Sequence, residues 1–136
     1  MLFRSCIATA QAPKAFKPVT DAMLANPSPN DWLMFSRTYD AQRFSPLKQI
    51  NRENASRLTE AWSKDLNAGS LESIPLVYDG VMYIVNPGET IQALDATNGK
   101  LIWEYKRPNA GGGRPKNLAI YQDMIFYVTP DNFVVA

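Results

Sequence analysis

The residue types that are missing decide much of what this chain could do chemically. It contains no histidine, which removes Ser-His-Asp and Cys-His catalysis, His-ligated zinc and a proximal haem histidine. Cys6 is the single cysteine and can form neither an internal disulfide nor a CxxC redox pair. The triplet Gly111-Gly112-Gly113 runs into Arg-Pro-Lys rather than a helix start, so it reads as a loop and not a phosphate cradle. What remains is charge. Lys100, Lys106, Arg107, Arg114 and Lys116 stand against Glu104 in a mildly basic stretch that reads as a solvated surface, sparser than a nucleic-acid footprint. Over the whole chain, 14 Lys and Arg against 13 Asp and Glu leave a net charge of +1, which points to neither nucleic acid nor a membrane. By residue type alone, Glu72 is an exposed loop carboxylate and Lys116 a solvated loop cation. Their chemistry depends on where the fold puts them.

That placement is set by a repeat. IPLVYDGVMYIV, starting at Ile74, returns altered but ungapped as NLAIYQDMIFYV, starting at Asn117, and the offset of 43 persists through Pro87 and Pro130 to Ala93 and Ala136. A period in the forties, filled with short β-type runs and turns, is the spacing of a four-stranded propeller blade. Strands are expected over 73–78, 81–86, 90–95 and 100–105 in one blade, and over 118–121, 124–128 and 132–136 in the next. Asp79-Gly80 is a hairpin signal, and Gly99 suits a turn position with positive φ. Residues 60–66, around Trp62, read as one more strand. The second copy stops at Ala136, so the chain reads as the front of a larger repeat protein, interrupted within a blade. Repeats bury their faces only against neighbours, and Phe126, Tyr127, Phe133 and Val135 are the candidates for apolar surface left exposed. Glu72 falls in the loop entering the innermost strand of the first blade, where side chains can reach a propeller axis. The repeat offset carries that position to Pro115 and Lys116.

Ahead of the repeat, Pro13, Pro18, Pro27 and Pro29 mark a lead-in. Thr20 is the expected N-cap of a short helix over 21–25, stopped by Asn26-Pro27-Ser28-Pro29. A second helical turn is expected within 51–58. Residues 1–18 are expected to be a disordered leader or truncated signal, and 19–136 the propeller portion. MLFRSCIATAQA has an early arginine and an Ala-Thr-Ala resembling a cleavage site, yet is short for a complete signal. No run approaches the ~20 apolar residues that span a bilayer.

Ala93 to Trp103, ALDATNGKLIW, closely resembles the tryptophan-docking repeat of quinoprotein propellers, in which the blade-end Trp packs between neighbouring sheets. Trp62, 41 residues before Trp103, fits the same role one blade earlier. DWLMFSRTYD from Asp31 and QRFSPLKQIN from Gln42 resemble the amino-terminal segment of quinoprotein alcohol dehydrogenases. ESIPLVYDGVMY from Glu72 resembles their first cofactor-contacting strand. The resemblance runs from about Val19 to Ala136. It implies an all-β fold, the incomplete start of an eight-bladed propeller that holds pyrroloquinoline quinone (PQQ) and a calcium or lanthanide ion on its axis.

In that family the Glu before the x-x-Pro-Leu strand touches the quinone, which here is Glu72. Lys116 occupies the position where an Arg usually bonds the quinone oxygens, and Arg114 could replace it if the loop shifts by two residues. Lys in place of Arg exchanges a planar fork for a point charge. Ala110 and Gly111 stand where many members carry adjacent cysteines, so a vicinal disulfide is absent. The function implied is the amino-terminal fragment of a periplasmic PQQ-dependent alcohol dehydrogenase. Such an enzyme oxidises a small alcohol to the aldehyde and passes electrons to a cytochrome c-type acceptor. The base and the metal ligands come from later blades in this family, so no catalytic or metal-binding residue is assigned and the fragment alone is expected to be inactive. The alternative is a non-catalytic propeller, a scaffold or assembly factor sharing the repeat. The missing cysteine pair and Lys116 favour that reading, whereas the amino-terminal segment and Glu72 favour the enzyme.

Overall fold

The computed structural model describes residues 15–108, 110 and 112–136; the signal-like stretch at the amino terminus lies outside them. One short helix, α1 (Asp21–Ala25), starts where the sequence predicts. Thr20 has extended backbone and its hydroxyl accepts from the Met23 amide at 3.4 Å, while Asp21 adds negative charge to the first turn. Within 51–58 only a single 3-10 turn forms, Ala55–Arg57.

Among the described residues, seven strands follow in two antiparallel sheets. β1 (Leu76–Tyr78), β2 (Val81–Asn86), β3 (Thr90–Asp95) and β4 (Leu101–Lys106) make a four-stranded meander in that order. β5 (Leu118–Tyr121), β6 (Met124–Val128) and β7 (Val134–Val135) begin the next sheet. The register repeats with the sequence. Tyr78 pairs Val81 and Val85 pairs Ile91 in the first sheet; Tyr121 pairs Met124 and Val128 pairs Val134 in the second. Equal spacing therefore gives equal structural units, and the all-β blade reading holds. The hairpin between β1 and β2 turns at Asp79 and Gly80 with φ of 49° and 80°, the paired positive φ of a two-residue hairpin whose twist matches its strands.

The core lies where the sheets meet. Leu76, Tyr78, Tyr83, Val85, Ile91 and Ala93 of the first sheet cluster with Leu118, Ile120 and Tyr127 of the second, and Val19 and Leu33 of the lead-in close the group. β3, flanked by strands on both sides, is buried from Thr90 to Leu94, whereas β4 at the sheet edge is exposed throughout. The lead-in is tied down at two points. Val19 bridges Gln122, and Trp32 bridges Val77 on the open side of β1. Phe16 packs edge-on against Tyr78, whose hydroxyl donates to the Lys17 carbonyl at 2.9 Å.

Two expectations change. Residues 60–66 pair with no strand. A strand exists only against a partner ladder, and Trp62 is instead held by its side chain: its indole N–H donates to the Ala96 carbonyl at 3.1 Å and its ring lies over Gly99. The docking role expected of Trp62 is thus seen as a contact with the Asp95–Gly99 turn. Trp103 is 41% exposed and meets Tyr83 as a tilted ring neighbour. Of the candidates for exposed surface, Phe133 is exposed as expected and Phe126 and Val135 are half-buried, whereas Tyr127 is buried because it faces the first sheet; Met124, Val128 and Val134 add to the exposure.

Candidate functional site

The docking turn shows how locally this sequence fixes its loops. Asp95 accepts from the Thr97 amide (2.8 Å) and hydroxyl (2.6 Å) and from the Asn98 amide group (2.9 Å), and Asn98 in turn accepts from the Lys100 amide. Those bonds, led by the Thr97 hydroxyl, hold the Asp95 carboxyl below its ordinary range. Loops of this kind leave the strand ends in fixed places, and the loops that precede β1 and β5 bring charge together.

Glu72 precedes β1; Arg114 and Lys116 precede β5. Pro115 is fully buried and anchors its loop, so the two cations project from either side of it. The Pro115 carbonyl accepts from the Glu72 amide at 3.4 Å, and the Asn117 side chain accepts from the Ile74 amide at 2.9 Å, which lays one loop beside the other. Side chains then converge. One Glu72 carboxylate oxygen accepts from Arg114 Nη1 at 2.7 Å, and the other accepts from Lys116 Nζ. All three side chains stay partly open, at 40%, 64% and 58% exposure. The Lys116 hydrogen bond first, then that of Arg114, pulls the Glu72 carboxyl down to about 2, so it is a standing anion at neutral pH.

All three sequence-predicted site residues are thus brought together. One carboxylate shared by two cations leaves a net charge of +1. Lys116 carries three donors and Arg114 five, of which Glu72 takes one each, so most remain free for an anionic or carbonyl-bearing ligand. Such an arrangement orients and holds. Among the described residues no group of three His, Cys, Asp or Glu side chains could hold a metal ion.

A second charged cluster escaped the sequence reading. Arg107, taken there for part of a solvated patch, is 14% exposed and ion-paired. It donates to Glu89 at 2.9 Å and, with both terminal nitrogens, to Asp131 at 2.7 and 2.8 Å, while its guanidinium lies 5.5 Å from the Phe133 ring centre. Glu89 is 1% exposed. Arg107, then Thr129, holds Asp131 down to about 2, and the two carboxylates push Arg107 up. The Tyr127 hydroxyl is buried nearby without a hydrogen-bond partner, and burial first, then the Glu89 charge, pushes it up to about 12. The available signal was positional: Glu89 and Asp131 lie in the equivalent Pro87-Gly88-Glu89 and Pro130-Asp131-Asn132 turns of consecutive blades.

Comparison with known proteins identifies the family. Residues 32–127 match the PQQ family described as glucose/ethanol/alcohol dehydrogenase, beta-propeller domain. The chain is 48% identical over 83 residues to quinohemoprotein alcohol dehydrogenase ADH-IIG of Pseudomonas putida, covering 60% of this chain and 11% of that protein. It is 38% identical over 131 residues to quinoprotein ethanol dehydrogenase of Pseudomonas aeruginosa, covering 88% and 21%. Among solved structures, quinohemoprotein alcohol dehydrogenase ADHIIG from Pseudomonas putida HK5 matches with a TM-score of 0.74 at 35% identity, over 85% of this chain and 19% of that one. A europium-containing methanol dehydrogenase matches with a TM-score of 0.74 at 30% identity, over 83% and 22%. The chain spans about a tenth to a fifth of the length of these relatives. Repeat period, blade register, docking turn and the match over residues 32–127 agree, and the chain belongs to the PQQ-dependent dehydrogenase β-propeller family.

Proposed function

We propose that this chain is the amino-terminal portion of a PQQ-dependent alcohol dehydrogenase and that Glu72, Lys116 and Arg114 hold one edge of the quinone cofactor. The observation that carries the reading is the convergence of Arg114 and Lys116 on the Glu72 carboxylate, from equivalent loops of two consecutive blades. The residues fit the group. A cluster of net positive charge, with donors to spare and partly open to solvent, suits an anionic quinone bearing carbonyl and carboxylate oxygens. When bound, such a cofactor supplies the two-electron acceptor for oxidation of an alcohol to the aldehyde, with a calcium or lanthanide ion polarising it. This chain's residues do the holding. Lys116 supplies a point charge, Arg114 a planar fork, and Glu72 fixes both cations while accepting hydrogen bonds of its own. The metal ligands and the base that takes the alcohol proton are assigned to residues outside this chain. A small alcohol as substrate accords with the names of the relatives, several of which are alcohol or ethanol dehydrogenases. A cytochrome c-type acceptor and a periplasmic location, both implied by the family resemblance, complete the proposal.

The test is a PQQ titration of the apo form of the intact gene product. Glu72→Ala and Lys116→Ala should each weaken binding by about tenfold, the loss of roughly one hydrogen bond to a charged group. Lys116→Arg should keep or strengthen it. If both alanine variants bind PQQ as tightly as the parent, the site assignment is wrong.

A further inference from the structure

The loop that carries the two cations rests on a seat. A Cβ built on Gly113 would fall 2.8 Å from the Cβ of Pro130, and Gly113 has φ of +108°, so the backbone lies directly on the proline ring and only glycine fits. The preceding blade has the same contact: a Cβ on Gly69 would fall 2.8 Å from that of Pro87. Glu72 comes three residues after Gly69, and Lys116 three after Gly113. Each blade thus uses one glycine-on-proline contact to deliver one charged side chain to the same place.

The second seat is braced. Asp131, directly after Pro130, is held by the two-pronged contact from Arg107 and by the Thr129 hydroxyl at 2.6 Å. Arg107 is itself fixed from the other side by Glu89, through its backbone amide to the Glu89 carbonyl (3.3 Å) and its guanidinium to the buried carboxylate. The path from Arg107 to the cations is therefore a chain of direct contacts: Asp131, Pro130, Gly113, Arg114. A paired charge that is mostly buried holds its geometry more firmly than a surface pair, because its alternatives leave charge desolvated and alone.

We propose that Arg107 is a positioning residue for the Glu72–Arg114–Lys116 cluster, acting through Asp131 and the Pro130 seat to set where the two cations meet the cofactor. The inference rests on the cofactor reading above and goes beyond it: Arg107 and Asp131 reach the cations only through Pro130 and Gly113, yet they govern how tightly the cofactor binds. Sites are held by the shell behind them, and disturbing such a shell typically costs affinity at the site itself.

Asp131→Ala is the sharpest probe, since it cuts the contact to the seat and leaves the Arg107–Glu89 pair in place. In PQQ titrations of the apo gene product it should weaken binding by roughly tenfold. In a background already carrying Arg114→Ala and Lys116→Ala it should change PQQ affinity no further. A destabilised blade would lower affinity in both backgrounds alike, so an equal loss in both overturns the proposal, as does parent-like binding by Asp131→Ala while Lys116→Ala is weakened. If Glu72→Ala and Lys116→Ala themselves bind as the parent does, the cofactor reading fails first and this inference falls with it. Should Asp131→Ala not fold, Arg107→Lys keeps a cation beside Glu89, loses the two-pronged contact, and carries the same opposed outcomes.

Discussion

Substituting Gly99 by alanine tests whether the docking turn is fixed by side-chain contact or by backbone alone. Gly99 has φ of +70°, and an added Cβ would lie 2.6 Å from Trp62 Cε3 and 3.0 Å from Cδ2 and Cζ3. The left-handed conformation costs a non-glycine residue ~1–2 kcal/mol. The ring must also move. Its displacement endangers the indole hydrogen bond to Ala96, worth ~0.5–1.5 kcal/mol, and crowds its packing on the turn, a further ~1 kcal/mol at the low end of overpacking costs. Gly99→Ala should therefore destabilise the chain by about 2.5–4.5 kcal/mol. The assay is equilibrium urea unfolding followed by tryptophan emission, at a dilution where the chain is monomeric. In a Trp62→Ala background only the backbone term remains, about 1–2 kcal/mol, so the two substitutions should couple. A cycle in which Gly99→Ala costs the same with and without Trp62 would refute the docking argument and leave strain in the backbone as the whole effect.

Three other outcomes are expected. Glu72 and Asp131 are both held down to about 2 against ordinary values of 4.5 and 3.8, so the stability they add is present above the ordinary carboxylate range. It should be lost as pH falls through about 2, which an acid titration of urea midpoints will show; salt should weaken the open Glu72 pairs more than the Arg107–Asp131 pair. At the alkaline end, Tyr127 is raised from 10.0 to about 12, so the neutral phenol is the folded form. Its contribution is complete below 10 and lost as pH rises through about 12; Tyr127→Phe should flatten that limb, and an unchanged limb would rule the tyrosine out. Leu101, Ile102, Trp103 and Tyr105 of the edge strand β4 are 41–54% exposed, and Phe133 and Val134 are 61% and 69% exposed. Sedimentation velocity should show concentration-dependent association through these surfaces, and a single monomeric species at every concentration would contradict it.

Blade architecture was legible in the sequence because a blade is a sum of local decisions. Asp79-Gly80 sets a hairpin whose register follows from its two-residue length, Asp95 and Gly99 close their own turn, and Thr20 caps the helix that follows it. Repetition did the rest: an offset of 43 residues carries each strand pair into the next sheet. Glu72 and Lys116 could be placed on equivalent loops in the same way. Their meeting on one carboxylate, with Arg114 added, depends on two blades packing side by side, which brings together residues 42 and 44 apart. Residues 60–66 have the composition of a strand, but a ladder requires a neighbour, and the fold holds Trp62 by its ring instead. The same reason hid Arg107. Its partners lie 18 and 24 residues away on the turns of different sheets, and nothing in a basic stretch of sequence distinguishes a solvated cation from one whose carboxylates arrive only when the sheets close on each other.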